Sequence, residues 1–188
     1  MRKLVLILAL AIVPFVTNAQ SMFDKFEDMD GVTSVVVNQI MFKLLAKIDV
    51  ETDDKEAQDY LNMIENLTSL KVLTTENGTI SDQMKSEVDK YLSKSNLQEL
   101  MRIKDGDQLV KFYIREGKDE DHVSELLMFI TGLKEVTENT NITVNGKKRT
   151  IETVLLTLTG DIDLKQISKL TKQMEIPGGD QLEKAGNK

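Results

Sequence analysis

The chain contains no cysteine, no tryptophan, a single histidine and only two prolines, and basic residues are outnumbered, 24 against 31 acids. Each shortage removes a class of chemistry. Without Cys there is no disulfide framework, no thiolate nucleophile and no thiolate metal site. With His122 as the one imidazole, a Ser-His-Asp relay would have to assemble wholly around it, and neither a GxSxG elbow nor an HExxH pair occurs. No GxxxxGK[ST] or GxGxxG segment is present to cradle phosphate. The lack of Trp, with only three Tyr, denies a sugar-stacking platform. Two carboxylates could in principle hydrolyse a glycoside, but among 31 acids a pair carries no signal.

The formal charge is −7, and loss of Arg2 and Lys3 with an N-terminal leader would take it to −9. Such a surface repels phosphate backbones, and nucleic-acid binding is not expected. The one dense basic run, Lys147-Lys148-Arg149, follows Asn145-Gly146 and reads as the flank of a hairpin.

The front of the chain carries what the rest lacks, a long apolar run. Leu4 to Val16 follows two positive charges and leads into Thr17-Asn18-Ala19. That run is too short for the roughly 20 residues a spanning helix needs, and Pro14 breaks it. The layout is that of a secretory signal peptide over residues 1–19, with cleavage after Ala19, and no Cys follows to accept lipid. The expected location is a bacterial periplasm or exterior, with no stable membrane span. Asn66, Asn77 and Asn141 stand in Asn-x-Ser/Thr triplets that would matter only in a eukaryotic secretory route.

After the leader the chain divides into an arm over residues 20–30, a domain over 31–176 and a flexible tail over 177–188. In the arm, Met22, Phe23, Phe26 and Met29 share one face of a short helix. A β-branched run after Gly31 predicts a strand, and Met41, Leu44, Leu45 and Ile48 then form one helical stripe. Ala57, Tyr60, Leu61, Ile64 and Leu67 recur with helical period before a strand that stops at Asn77-Gly78. Ser81 is the expected cap of the next helix, which aligns Met84, Val88, Tyr91 and Leu92 and stops near Ser95-Asn96. The period then falls to two. Strands flank Asp105-Gly106, with Val110, Phe112 and Ile114 facing the core, and two further apolar strands, "LLMFITG" and "VLLTLTG", lie either side of a hairpin at Asn145-Gly146. A last helix, capped by Asp161 or Asp163, aligns Leu164, Ile167, Leu170 and Met174. The predicted class is α+β, a single domain with a mostly antiparallel sheet and helices packed on one face.

The order of these segments resembles the DUF4252 family of uncharacterised exported proteins of Bacteroidetes. The stretches that carry the likeness are "GVTSVVVNQIMFKLLAKI", "YLSKSNLQELMRIKDGDQLVKFYIRE", "SELLMFITG" and "VLLTLTGDIDLKQISKL". The resemblance implies an envelope or secreted location in a Gram-negative bacterium and supplies no catalytic residues. Some relatives in that family look like lipoproteins, a feature this Cys-free chain lacks.

Candidate ligands are few. His122 lies beside Asp119, Glu120 and Asp121, but neighbours on a loop cannot all point at one ion, so the cluster reads as a solvated turn. The pairs Asp105/Asp107 and Asp161/Asp163 do not continue into a calcium-binding loop and read as a hairpin turn and a helix cap. The nine methionines read as core filler. The expectation is therefore no catalytic, cofactor-binding or metal residue, and a non-enzymatic exported protein that binds an envelope protein or other envelope component through its sheet or a cleft between sheet and helices. "LLMFITG" or "VLLTLTG" would accept a partner strand if either lay at an edge. Two alternatives stay open: a hydrolase or metal-dependent enzyme whose site forms only in the fold, and a small-ligand or lipid carrier.

Overall fold

Val-Thr-Ser-Val-Val-Val after Gly31 is rich in branched β-carbons, which favour extended backbone, and it forms strand β1 (Val32–Asn38) in the computed structural model of the chain. The structure describes residues 22–47, 55–138, 143–144, 147–148 and 150–164. The leader, Ile48, Asn141, the tip Asn145-Gly146, Arg149, the rest of the last helix with Ile167, Leu170 and Met174, and the tail lie outside the described residues.

Helix α1 (Gln39–Ala46) follows β1 directly. Asn38 caps it by accepting a hydrogen bond from the Met41 N–H at 3.1 Å. Helix α2 (Lys55–Glu65) leads into β2 (Leu67–Thr75), and α3 (Gly78–Lys94) comes next. The cap of α3 is Asn77, not Ser81. The Asn77 side chain accepts from Thr79 N–H at 2.9 Å and Ile80 N–H at 3.3 Å, so the helix starts four residues early. Ser81 is consequently buried inside its first turn, where its hydroxyl meets that of Thr153 at 2.6 Å. The expected hairpin is present: β3 (Gln98–Asp105) and β4 (Gln108–Glu116) are joined by Gly106-Asp107, with Gly106 at φ +55°. Strand β5 (His122–Thr131), helix α4 (Lys134–Glu138), the short hairpin β6 (Thr143–Val144) and β7 (Lys147–Lys148), and β8 (Thr153–Asp163) complete the order.

Six strands form one fully antiparallel sheet in the order β1-β2-β8-β5-β4-β3. The class is α+β, as expected, but the described helices are shared between the two faces and not packed on one, which corrects that part of the expectation. On one face, Ile80, Met84, Val88 and Tyr91 of α3, with Phe23 and Phe26 of the arm, cover Leu73, Tyr113, Leu127, Phe129 and Leu155. On the other, Phe42 of α1 and Met63 of α2 pack with Val110, Phe112, Leu126, Met128, Ile130, Leu158 and Ile162. Strands β5 and β8 read as nearly unbroken apolar runs because both of their faces are buried. They pair with each other at the middle of the sheet, so neither "LLMFITG" nor "VLLTLTG" is an edge, and that expectation is corrected.

The segment Gly160-Asp-Ile-Asp closes β8, so Asp161 lies within the strand; Asp163 directly precedes helical Leu164, and any cap it forms there lies outside the described residues. Gly160 sits at φ +140°, and a β-carbon there would lie 2.5 Å from the Asn66 carbonyl oxygen, so glycine is required where β8 crosses the start of β2. The Asp161 N–H donates to that same carbonyl at 3.1 Å.

The arm winds one turn of 3-10 helix (Asp24–Phe26) and is fastened by charge as well as by its rings. Lys71 of β2, 4 % exposed, reaches Asp24 and Glu27 at 2.5 Å each. Lys25 reaches Glu87 of α3 at 2.8 Å, and Lys90 meets the same carboxylate at 2.8 Å. The hydrogen bonds from Lys25 and Lys90 pull the Glu87 carboxyl from 4.5 to about 2. A carboxyl depressed in the fold stabilises it fully above its unfolded value and loses that contribution as the pH falls through its folded value. Glu87→Gln is therefore expected to lower stability at neutral pH by less than about 1 kcal/mol. Urea unfolding should show the gap closing between pH 4.5 and about 2; a gap that persists at pH 2 would refute the assignment.

Candidate functional site

Two features of the surface are candidates, one polar and one apolar. The polar one is a cleft of about 320 Å³ where α2 passes the ends of β5 and β8. Asp59, Asn62, Met63 and Asn66 line it from the helix side, and Lys118, His122, Asp161 and Asp163 from the sheet side. Sequence reasoning kept His122 apart from Asp161 and Asp163, and the antiparallel pairing of His122 with Asp163 brings them together. No local spacing could have signalled this, because His122 lies on β5 and both aspartates on β8.

Two of the charged groups lining this cleft, with the His122 ring, are already engaged. Lys118 Nζ lies 2.6 Å from Asp161 Oδ2, and His122 Nδ1 lies 2.6 Å from Asp119 Oδ1. The hydrogen bond from His122 holds the Asp119 carboxyl below its ordinary range, and the bond to Asp161 holds the Lys118 ammonium above its own. Asp119 also accepts from the Asp121 N–H at 3.1 Å, so the acidic run closes on itself as a turn. Among the described residues, no three His, Asp or Glu side chains converge as a metal site. Asp105 and Asp107 flank the Gly106 turn at the far hairpin and share nothing with the cleft. Asn66 donates to the Asn62 carbonyl at 2.8 Å, and Asn77 is the α3 cap, so both have structural roles.

Two carboxylate clusters lie on the α3 face. Glu125, 4 % exposed, receives the Tyr91 hydroxyl at 2.7 Å and Arg115 Nη2 at 2.9 Å. Burial, and then the hydrogen bond to Glu125, push the Tyr91 phenol well above its usual range. The second is Lys71 with Asp24 and Glu27. Each binds neighbouring elements together.

The apolar feature is the β1 edge. An edge strand exposes a row of unpaired N–H and C=O groups, and proteins usually guard it with charge, proline or a bulge. Strand β3, at the opposite edge, is guarded in this way: Glu99, Arg102, Lys104 and Asp105 punctuate it, and its register shifts between Glu99 and Met101. Strand β1 has none of these devices. Its seven residues carry no charge and no proline, and its register with β2 runs unbroken from Val32 opposite Thr75 to Asn38 opposite Ser69.

The apolar stripe of α1 continues this surface. Only Phe42 of the helix is buried, while Ile40 is 70 % exposed, Leu44 57 %, Met41 47 % and Leu45 36 %. The helical period was legible in the sequence, but the stripe that it aligns faces outward. Val35, on the same sheet face as Val37 and the core beneath α1, is 51 % exposed. Sheet and α2 pack against α1, and the stripe is left uncovered. Contiguous exposed apolar surface of this kind marks an interaction site.

A family model described as a domain of unknown function, DUF4252, matches residues 26–170. No curated protein and no solved structure matches the chain.

Proposed function

The chain belongs to the DUF4252 family, and from that premise we propose that it is an exported, non-enzymatic interaction protein of the bacterial envelope that engages a polypeptide along the β1 edge and the α1 stripe. The observation that carries this reading is the unguarded edge. Seven uncharged residues in perfect register, with an apolar helix beside them, offer main-chain hydrogen bonds for affinity and apolar contacts for selection. Export rests on the leader: two positive charges, an apolar core and small residues before Gln20. No helix among the described residues is long and apolar enough to cross a membrane.

Hydrogen exchange tests the surface. Mixed with an envelope fraction, the amides of β1 and α1 are expected to slow, while those of β3 keep their rates. Val35→Lys, which places a charge in the middle of the edge, should abolish the slowing. Unchanged exchange on β1, or slowing confined to the polar cleft, would overturn the proposal in favour of a small-molecule site.

A further inference from the structure

We infer that the polypeptide engaged at this surface is a second copy of the chain, paired antiparallel through β1 about a two-fold axis at Val35. The inference rests on the reading of β1 as an interaction edge and names its occupant.

Self-pairing requires a strand that is compatible with its own reverse. Val35 is the midpoint of β1, with three residues on either side. Pairing about it sets Val35 opposite Val35, Ser34 opposite Val36, Thr33 opposite Val37 and Val32 opposite Asn38. Every one of these positions is uncharged, which matters for a chain of net charge −7 whose copies repel elsewhere. An axis perpendicular to the sheet keeps each face on its own side. The two α1 helices, each packed on its own β1 and β2, then lie on the same face on either side of the seam. One operation therefore pairs the exposed edges and gathers both exposed helices, with Ile40, Met41, Leu44 and Leu45, on one face.

Charge at the ends of the seam fits as well. Asp28 and Asp30 are exposed in the turn that enters β1. The pairing brings that end of the strand to Asn38 of the other copy, the cap of its α1. Acids beside the start of a helix are favourable, and α1 itself contains Lys43 and no acid.

The absence of cysteine supplies a clean test. The full chain, expressed with its leader so that the host processes it, is expected to sediment at twice its monomer mass, and Val35→Lys at the monomer mass with an unchanged far-UV spectrum. Residues directly opposed across an antiparallel pair have β-carbons about 4.5–5.5 Å apart, near the span of a disulfide. Val35→Cys should thus cross-link to itself under diamide. Thr33→Cys alone should not, and Thr33→Cys mixed with Val37→Cys should. A chain that stays monomeric at its highest soluble concentration, or one that cross-links equally at all three positions, would overturn the inference. A monomer whose β1 amides slow with the envelope fraction loses the self-pairing and keeps the interaction surface; one whose amides do not slow loses both.

Discussion

Glu125→Ala is expected to destabilise the protein by about 3 to 5 kcal/mol, the usual cost of removing one partner from a buried ion pair. The carboxylate is 4 % exposed and sits between α3 and the sheet, taking the Tyr91 hydroxyl and the Arg115 guanidinium. Without it, Tyr91 keeps a bond only from Arg115 Nη2 at 3.1 Å, and the guanidinium is left without its counter-charge. The Arg115 side chain is 36 % exposed, so water relieves part of that penalty and places the effect at the lower end of the range. Glu125→Gln, which can still accept from Tyr91, should lose less. Replacing Arg115 and Glu125 together by Met and Leu should recover most of the loss, because the desolvation that the pair endures disappears with it. Urea midpoints for the four proteins decide the matter. Equal losses for Gln and Ala would show that the charge, and not the acceptor that Gln retains, carries the stability, whereas no loss for Gln would show that the charge contributes nothing.

The second large effect is expected at Phe26. Truncation of a fully buried Phe to Ala costs about 3 to 5 kcal/mol, transfer and cavity together. Phe26 is 0 % exposed, although it belongs to a single turn of 3-10 helix ahead of the first strand. Its neighbour Phe23 stands edge-on to Tyr91, with ring centres 5.5 Å apart and planes at 78°. For a chain of this size the loss corresponds to a fall in Tm of roughly 6 to 20 °C. A fall of only a degree or two would mean that the arm is a detachable decoration; the larger fall would make it part of the core.

The comparison between sequence and structure divides along a physical line. Features set by neighbours in the chain were legible: the Asp105-Gly106 turn, the β-branched strand after Gly31, the alternation in β4 and the end of α3 at Ser95. Features set by distant partners were not. Asn77 and Ser81 are both good caps, and the choice fell to Asn77 because burial of Ser81 against Thr153 joins α3 to a strand 72 positions away. The stripe on α1 has the right period for a core helix, yet the face presented to the sheet is the one with Phe42. Asp161 reads as a possible cap of the last helix, whereas it lies inside β8, beside the glycine that lets β8 pair closely with the start of β2. For the candidate site, the composition of β1 was visible at once, but its place at the edge depended on strand order. That order is decided by pairings such as β2 with β8, about which local patterns carry no information.

That order has a consequence for how the molecule is completed. Strand β8, the last of the described strands to be synthesised, lies in the middle of the sheet, between the β1-β2 pair and the β5-β4-β3 meander. Until residues 153–163 arrive, the chain holds two unfinished halves, each presenting the apolar rim that β8 will cover. Closing them brings Thr75 and Thr153 side by side across most of the domain, a slow, non-local step that must precede its own reward. The polypeptide thus remains pliable through most of its own manufacture and sets only when its carboxyl-terminal third is threaded home.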